Sequence, residues 1–267
     1  MRTSGVLDAV QGLGLHDHVC WPFDTQADFI ARAREFLTDG LAAGQEAWYI
    51  AEGPVEELTT HLSGLEDALT SGALKVVSLN DAYQERAVEP HVQAAAYAVA
   101  TEDALAAGYT GLRVAAEATP LVRGDAALDA FCRYEHLVDR YMTAKPFAAM
   151  CAYDRRVLTD DEIGHLACLH PASGAGGAQF RLFATEDGVG LEGEIDLDSR
   201  ERFPLALHRA GLGRNGQVLV EAPDLDFIDH HGLYALSDLG DVVLRTPLST
   251  ARRLVDLLDM PGVRVVR

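Results

Sequence analysis

Positive charge is what this sequence has least of. Lys and Arg number 22 against 41 Asp and Glu in 267 residues, a net charge of −19. The imbalance is concentrated early: 26 acidic and 12 basic residues precede Ala178, and 15 and 10 follow from there. So acidic a chain repels phosphate backbones, so no nucleic-acid partner is expected. The plainest consequence of the charge is solubility. Cysteine is scarce too. Cys20, Cys132, Cys151 and Cys168 form no CxxC pair and fit no zinc-ribbon spacing, so they are expected to be reduced thiols of a cytoplasmic protein. No basic stretch followed by an apolar run opens the chain, and no apolar run is long enough to span a bilayer; neither a leader nor a membrane partner is expected.

Familiar catalytic signatures are missing as well. GxxxxGK[ST], GxSxG and HExxH do not occur. Two early strand-to-helix turns have the right place for a phosphate-cradling loop. Residues 21–26 offer neither glycine nor lysine, and residues 52–57 are acidic where a nucleotide site needs Gly, Lys and Ser or Thr. No ATP hydrolysis is expected, and the protein is not read as an enzyme.

What is present is a large apolar fraction, 48%, in runs that alternate between strand and helix character. Strands are predicted at 18–23, 46–52, 74–79, 111–118 and 147–153, and helices at 24–44, 55–65, 90–107 and 125–144. Thr159 and Glu162 have the spacing of a capping box and open another helix. Residues 171–178, small and glycine-rich, read as a linker. Beyond it, strands are predicted at 180–184, 190–195, 217–221, 241–244 and 263–266, with helices at 199–210, 232–239 and 249–258. Alternation of this kind predicts an α/β protein with a parallel sheet covered on both faces.

The most unusual local cluster is His16-Asp17-His18-Val19-Cys20. In a strand His16, His18 and Cys20 point the same way, and imidazole with thiolate suits a soft metal. Cys151, Cys168 and His170 offer further ligands. Three readings stay open: a ligand pocket lined by His18, Cys20 and Cys151; plain packing of small thiols; and a metal site, for which no ligand set is assigned. Glu117 ends an apolar strand, and Cys151 and Tyr153 occupy the matching end of theirs, where ligands of open parallel sheets bind. Glu135 and His136 read as the solvated side of their helix.

Two resemblances bear on these residues. His18-x-Cys20-x-x-Phe23, Gly44-Gln-Glu46-Ala-Trp-Tyr49, Gly111-Leu-Arg113-Val, Cys151-Ala-Tyr153-Asp154 and His170-Pro171 together resemble the MEDS domain, the methanogen/methylotroph DcmR sensory domain, over most of residues 10–171. The resemblance implies a RecA/KaiC-like parallel-sheet domain that has lost its phosphate loop and senses small molecules. It makes His18 and Cys20 a signature pair, with Glu117, Cys151 and Tyr153 as other pocket residues. Gly193-Glu-Ile195-Asp196-Leu197, Val218-Leu-Val220 and the run Leu225-Asp-Phe227-Ile228-Asp229-His230-His231-Gly232-Leu233 resemble a STAS domain, as in anti-sigma factor antagonists. That implies a small sheet of four or so strands with helices packed on it. Phosphoregulated STAS domains carry Ser or Thr after the motif Asp; here His230 and His231 follow Asp229, so that switch is expected to be lost.

The expected organisation is therefore a MEDS-like sensory domain over 1–171, a linker over 172–177 and a STAS-like domain over 178–267. The expected function is a ligand- or redox-responsive signalling regulator. Its partners would be an unknown small molecule and an anti-sigma-type kinase or another STAS-pathway protein, met through Asp229, His230, His231 and Gly232. The alternative is a Cys/His or metal-dependent enzyme acting on a small molecule. No cofactor is named by the sequence.

Overall fold

The computed structural model describes residues 2–83, 88–213 and 216–267. Chain order begins with β1 (Gly5–Leu7), β2 (His18–Phe23) and α1 (Gln26–Ala42), then β3 (Glu46–Ala51), α2 (Val55–Thr59), α3 (Glu66–Ser71), β4 (Leu74–Ser78) and α4 (Leu79–Ala82). It continues through α5 (Pro90–Ala106), β5 (Leu112–Glu117), α6 (Asp125–Ala144), β6 (Phe147–Asp154), α7 (Asp160–Ala167) and β7 (Ala172–Gly174). The seven strands pair in the order β1-β7-β2-β6-β5-β3-β4, and every pairing is parallel. Parallel strands need crossover helices, and those helices cover both faces. That is why β5 and β6 are mostly apolar and almost wholly buried, with Arg113 the charge inside β5.

Local chemistry sets the ends of these elements. Thr25 caps α1 by accepting from the Asp28 amide, and the helix buries Phe29, Ala33, Phe36 and Leu37 as their spacing predicts. Gly44 follows its end at φ 77°, a conformation that glycine adopts freely. At α7 both halves of the Thr159–Glu162 capping box are made. The predicted helix over 55–65 is interrupted: α2 passes into a single 3-10 turn, Thr60–Leu62, and α3 follows separately.

The second unit holds β8 (Phe180–Ala184), β9 (Val189–Ile195), α8 (Arg202–Arg209), β10 (Val218–Glu221), β11 (Leu225–Ile228), α9 (His230–Ser237), β12 (Val242–Arg245), α10 (Ser249–Leu257) and β13 (Val263–Val266). Its sheet is mixed. Parallel strands run β11-β9-β10-β12-β13, and β8 joins β9 as an antiparallel hairpin. The sheet has six strands against the four or so that the STAS resemblance implied; Leu225–Ile228, not predicted as a strand, pairs with the end of β9. Two Gly-x-Gly-x-x-Gly spacings fall in this unit, at 188–193 and 211–216. The first enters β9 from its hairpin turn and does not make the strand-to-helix turn a dinucleotide site requires; the second lies partly outside the described residues.

The linker expected over 172–177 is corrected. Ala172–Gly174 is strand β7, buried between β1 and β2. Small residues suit it because β7 lies close under its neighbours: a Cβ on Gly174 would meet the Trp21 ring at 3.2 Å. The two units also share one apolar core, running from Cys20, Phe131 and Leu166 to Phe180, Phe203 and Leu236. Polar bonds reinforce it: Leu182 N–H donates to the Cys168 carbonyl at 2.7 Å, and Arg209 Nε to Asp129 at 3.0 Å. No described helix is long and apolar enough to cross a membrane.

Candidate functional site

Strand alternation divides β2 between two environments. Val19, Trp21 and Phe23 pack on the α1 side, whereas His18 and Cys20 face α6. On β6, Cys151 and Tyr153 face the same way, and Cys20 and Cys151 are register partners. Helix α6 lies across this face and presents Glu135 and Asp139, one turn apart. Both reach His18: Glu135 Oε2 is 3.1 Å from Nε2, and Asp139 Oδ1 is 3.1 Å from Nδ1. His170, just after α7, holds its ring centroid 4.1 Å from that of His18, tilted by 39°.

Each group in the cluster is held from behind. The Nδ1–H of His170 donates to the Leu166 carbonyl at 2.9 Å. The Tyr153 hydroxyl donates to Glu135 Oε1 at 2.6 Å. Asp139 accepts from His18, from the Ala184 amide of β8 at 2.7 Å, and from the Arg2 guanidinium. Arg2 is steered there by the N-terminal segment: Asp17 accepts from the Thr3 amide at 2.6 Å, and Arg2 Nε donates to the His16 carbonyl at 2.7 Å. The Cys151 thiol stands 3.6 Å from His18 Nε2 and 3.7 Å from Glu135 Oε2.

Electrostatics follow from these contacts. Burial opposes a charge on His18, but hydrogen bonds and charge from Asp139 and Glu135 outweigh it and raise its pKa. Burial would raise Glu135; His170, His18 and Tyr153 instead hold it below the usual carboxylate range. Asp139 is lowered despite burial by the Arg2 charge and the His18 bond. His170 is pushed down to about 4, by burial first and then by His18. Burial, reinforced by Glu135, raises the Cys151 thiol and the Tyr153 phenol well above their ordinary values. His18, Glu135, Cys151 and His170 are all metal-ligating types, and their ligating atoms lie within 4.8 Å of one another.

Of the residues singled out in the sequence, His18, Cys151 and Tyr153 come together. Cys20 sits beside Cys151 on the same face but outside the converging four; it is fully buried, and burial raises its pKa. Glu117 does not join them. Its strand turns it to the opposite face, near Tyr49, where it accepts from the Thr119 amide at 3.2 Å and burial raises its pKa. His16 lies before β2 and donates from Nδ1 to the Met142 carbonyl at 2.8 Å, and the Cys168 thiol bonds the His165 carbonyl. Glu135 and His136, read as a solvated side, are buried. Glu135 and Asp139 had a sequence signal: they fall inside the apolar stripe of Leu128, Phe131, Cys132, Val138 and Met142, where a carboxylate has to be paired.

Two other places merit description. A groove of about 620 Å³ lies between β3, β4 and α5, with Trp48, Val77, Val92, Ala96, Tyr97 and Lys75 in its lining; Trp48 belongs to the Gly44–Tyr49 motif, and none of the candidate site residues lines it. In the second unit, Asp229 caps α9 by accepting the Gly232 amide at 2.8 Å. Exposed His230 and half-buried His231 stack 4.0 Å apart there, beside exposed Phe227 and Tyr234. Gly232 is required, since a Cβ would come within 2.6 Å of Ile195.

Comparison with curated proteins gives no match. The family model of the MEDS domain, described as the MEthanogen/methylotroph, DcmR Sensory domain, matches residues 17–171. Those residues hold all four members of the converging cluster and the whole of β2 to α7. The chain therefore belongs to the MEDS family of sensory domains.

Proposed function

We propose that the chain is a cytoplasmic, non-enzymatic signalling regulator whose MEDS domain takes a small-molecule or redox input and whose second unit passes it on by protein contact. The observation that carries this reading is Asp139. One buried carboxylate accepts from His18 in the cluster and from the Ala184 amide in the second sheet, so a change at the cluster is felt directly by β8. The absence of catalytic signatures from the sequence supports the non-enzymatic part. The RecA/KaiC-like reading draws support from the parallel strand order and from the β2–α1 junction. Only Asp24 and Thr25 separate strand from helix, too few to cradle a phosphate.

The STAS reading of the second unit rests on its sequence motifs and on the position of Asp229 at the β11–α9 junction. With His230 and His231 where a hydroxyl would be modified, the output is regulated through the MEDS domain and not by phosphorylation of that loop. The partner is an anti-sigma-type kinase or another STAS-pathway protein. Titration calorimetry of the full chain against such kinases from the same host tests this. The expected result is a specific complex with one of them, lost on His230→Glu and altered about tenfold in affinity by Asp139→Asn. Absence of binding to every such partner, or an affinity indifferent to Asp139, overturns the proposal.

A further inference from the structure

The geometry of the buried cluster points to a resident metal: we propose that His18, Glu135, Cys151 and His170 are the four ligands of a divalent ion of the zinc class. The proposal deepens the sensory reading by naming what its site takes, and rests on that reading for the metal's purpose. Whether the metal binds is tested apart from it.

The argument begins with His170. Its Nδ1–H is committed to the Leu166 carbonyl, so Nε2 carries a lone pair. That atom is buried and has no hydrogen-bond partner, and it faces Glu135 Oε2, another acceptor, 3.6 Å away. Two buried lone pairs directed at each other repel unless a cation lies between them. His18 has the same orientation: Asp139 takes the Nδ1–H and turns Nε2 toward the same point. Tyr153 occupies Glu135 Oε1 and leaves Oε2 to face inward.

The spacing agrees. Bond lengths of about 2.0 Å to nitrogen and oxygen and about 2.3 Å to sulfur, at tetrahedral angles, separate ligand atoms by about 3.3–3.6 Å. Of the six edges of this cluster, four measure 3.1, 3.6, 3.6 and 3.7 Å, bracketing that range, and all six lie within 4.8 Å. Charge closes as well. A dication with one thiolate, one carboxylate and two neutral imidazoles is neutral, as a fully buried centre needs to be, and Arg2 balances Asp139 behind it. The donors select among metals: a thiolate and two imidazoles favour zinc-like ions over magnesium or calcium, which prefer oxygen. Each imidazole and the carboxylate has the outer hydrogen bond that orients metal ligands. The four come from β2, α6, β6 and the segment after α7, a set no local spacing motif encodes.

The experiment uses the full chain, stripped with a chelator and titrated with Zn²⁺ or with Co²⁺ as a spectroscopic substitute. Metal per chain and the thiolate-to-cobalt absorption band are read. The wild type is expected to take up about one ion per chain and to show the band. Cys151→Ser, which nearly conserves volume, is expected to lose the band. Tyr153→Phe leaves all four ligands and is expected to keep band and stoichiometry while binding about 10–100-fold more weakly. Cys20→Ser is expected to behave as the wild type. A folded wild type that takes up less than about a tenth of an ion per chain overturns the proposal. So does a band that survives Cys151→Ser, or one that disappears in Cys20→Ser. Loss of partner binding with metal uptake intact would instead refute the signalling reading alone.

Discussion

The two faces of the seven-stranded sheet are made by the same strands and bury different chemistry. On the α1 side lie Val19, Phe23, Phe29, Phe36, Tyr49 and Met150, with a deeply buried charge, Arg113. Its guanidinium stacks 4.4 Å from the Phe36 ring and gives its hydrogens to neutral oxygens: the Gln45 amide, and the Leu13 and Phe36 carbonyls. Burial lowers its pKa to about 10, and it still carries its charge at neutral pH. Gly40 makes room for it, since a Cβ there would meet the Arg113 side chain at 2.4 Å. Arg113 thus ties α1, Gln45 beyond its end and the segment before β2 to the sheet. On the α6 side His18, Glu135, Cys151 and His170 converge on one point, and among these four the His170 Nε2 has no hydrogen-bond partner. A buried charge whose bonds are all spent on the fold is structural; a buried cluster that leaves a lone pair directed at its neighbours is prepared for something else to bind.

Mutations on the two faces should therefore separate stability from site chemistry. The largest effect is expected from Phe36→Ala on the α1 side. Phe36 is fully buried, and truncation costs the transfer energy of the ring together with the cavity it leaves, about 3–5 kcal/mol in denaturant unfolding. Metal uptake by the refolded variant should match the wild type. A loss of uptake out of proportion to stability would break the distinction between the faces.

Asp139→Asn comes next and tests the other face. It leaves an acceptor for one neighbour but removes the charge that faces Arg2 and His18, for a cost of about 3 kcal/mol. Hydrogen exchange of the Ala184 amide should accelerate by more than the fall in global stability explains, because its carboxylate acceptor is replaced by a single amide oxygen for which His18 and Arg2 compete. Exchange that follows global stability alone would mean that Asp139 joins the units no more than any core residue does.

The contrast between the faces was only half legible in the sequence. Periodicity located β2, α1 and α6 closely, since a run such as His18–Phe23 has few alternatives once both its faces are covered. His18, Cys151 and Tyr153 stand out as unusual residue types in apolar strands, and the structure brings them together around Glu135. Glu135 was misread, because a carboxylate in a helix is normally solvated and its partners, His18 and His170, are distant in sequence. Glu117 was misplaced by one residue of alternation: it ends its strand as Cys151 and Tyr153 do, but on the other face. The supposed linker was misread for a further reason. Small residues mark flexible chain and tightly packed strand equally, and only the Trp21 ring above Gly174 distinguishes them.

The smallest effect is expected where the two units meet at the surface. Asp129 is about a third exposed and is bonded by Arg133 at 2.8 Å and by Arg209 at 3.0 Å. Burial pushes its pKa up, and the hydrogen bonds from Arg133 and Arg209 outweigh this and lower it. A carboxyl group lowered on folding contributes stability above its unfolded value, near about 3.9, and the contribution is lost as pH falls through the folded one. The wild type should thus exceed Asp129→Asn by at most about 1 kcal/mol at neutral pH. That margin should hold down to about pH 4 and shrink below it as both proteins come to carry a neutral group. Raising the salt should reduce it as well, because the pair is partly solvated. The measurement is a pair of urea midpoints at each pH and salt concentration. A margin that grows on acidification would have the wrong sign for a paired carboxylate, and the contact would then be packing between α6 and α8 with no ionic part.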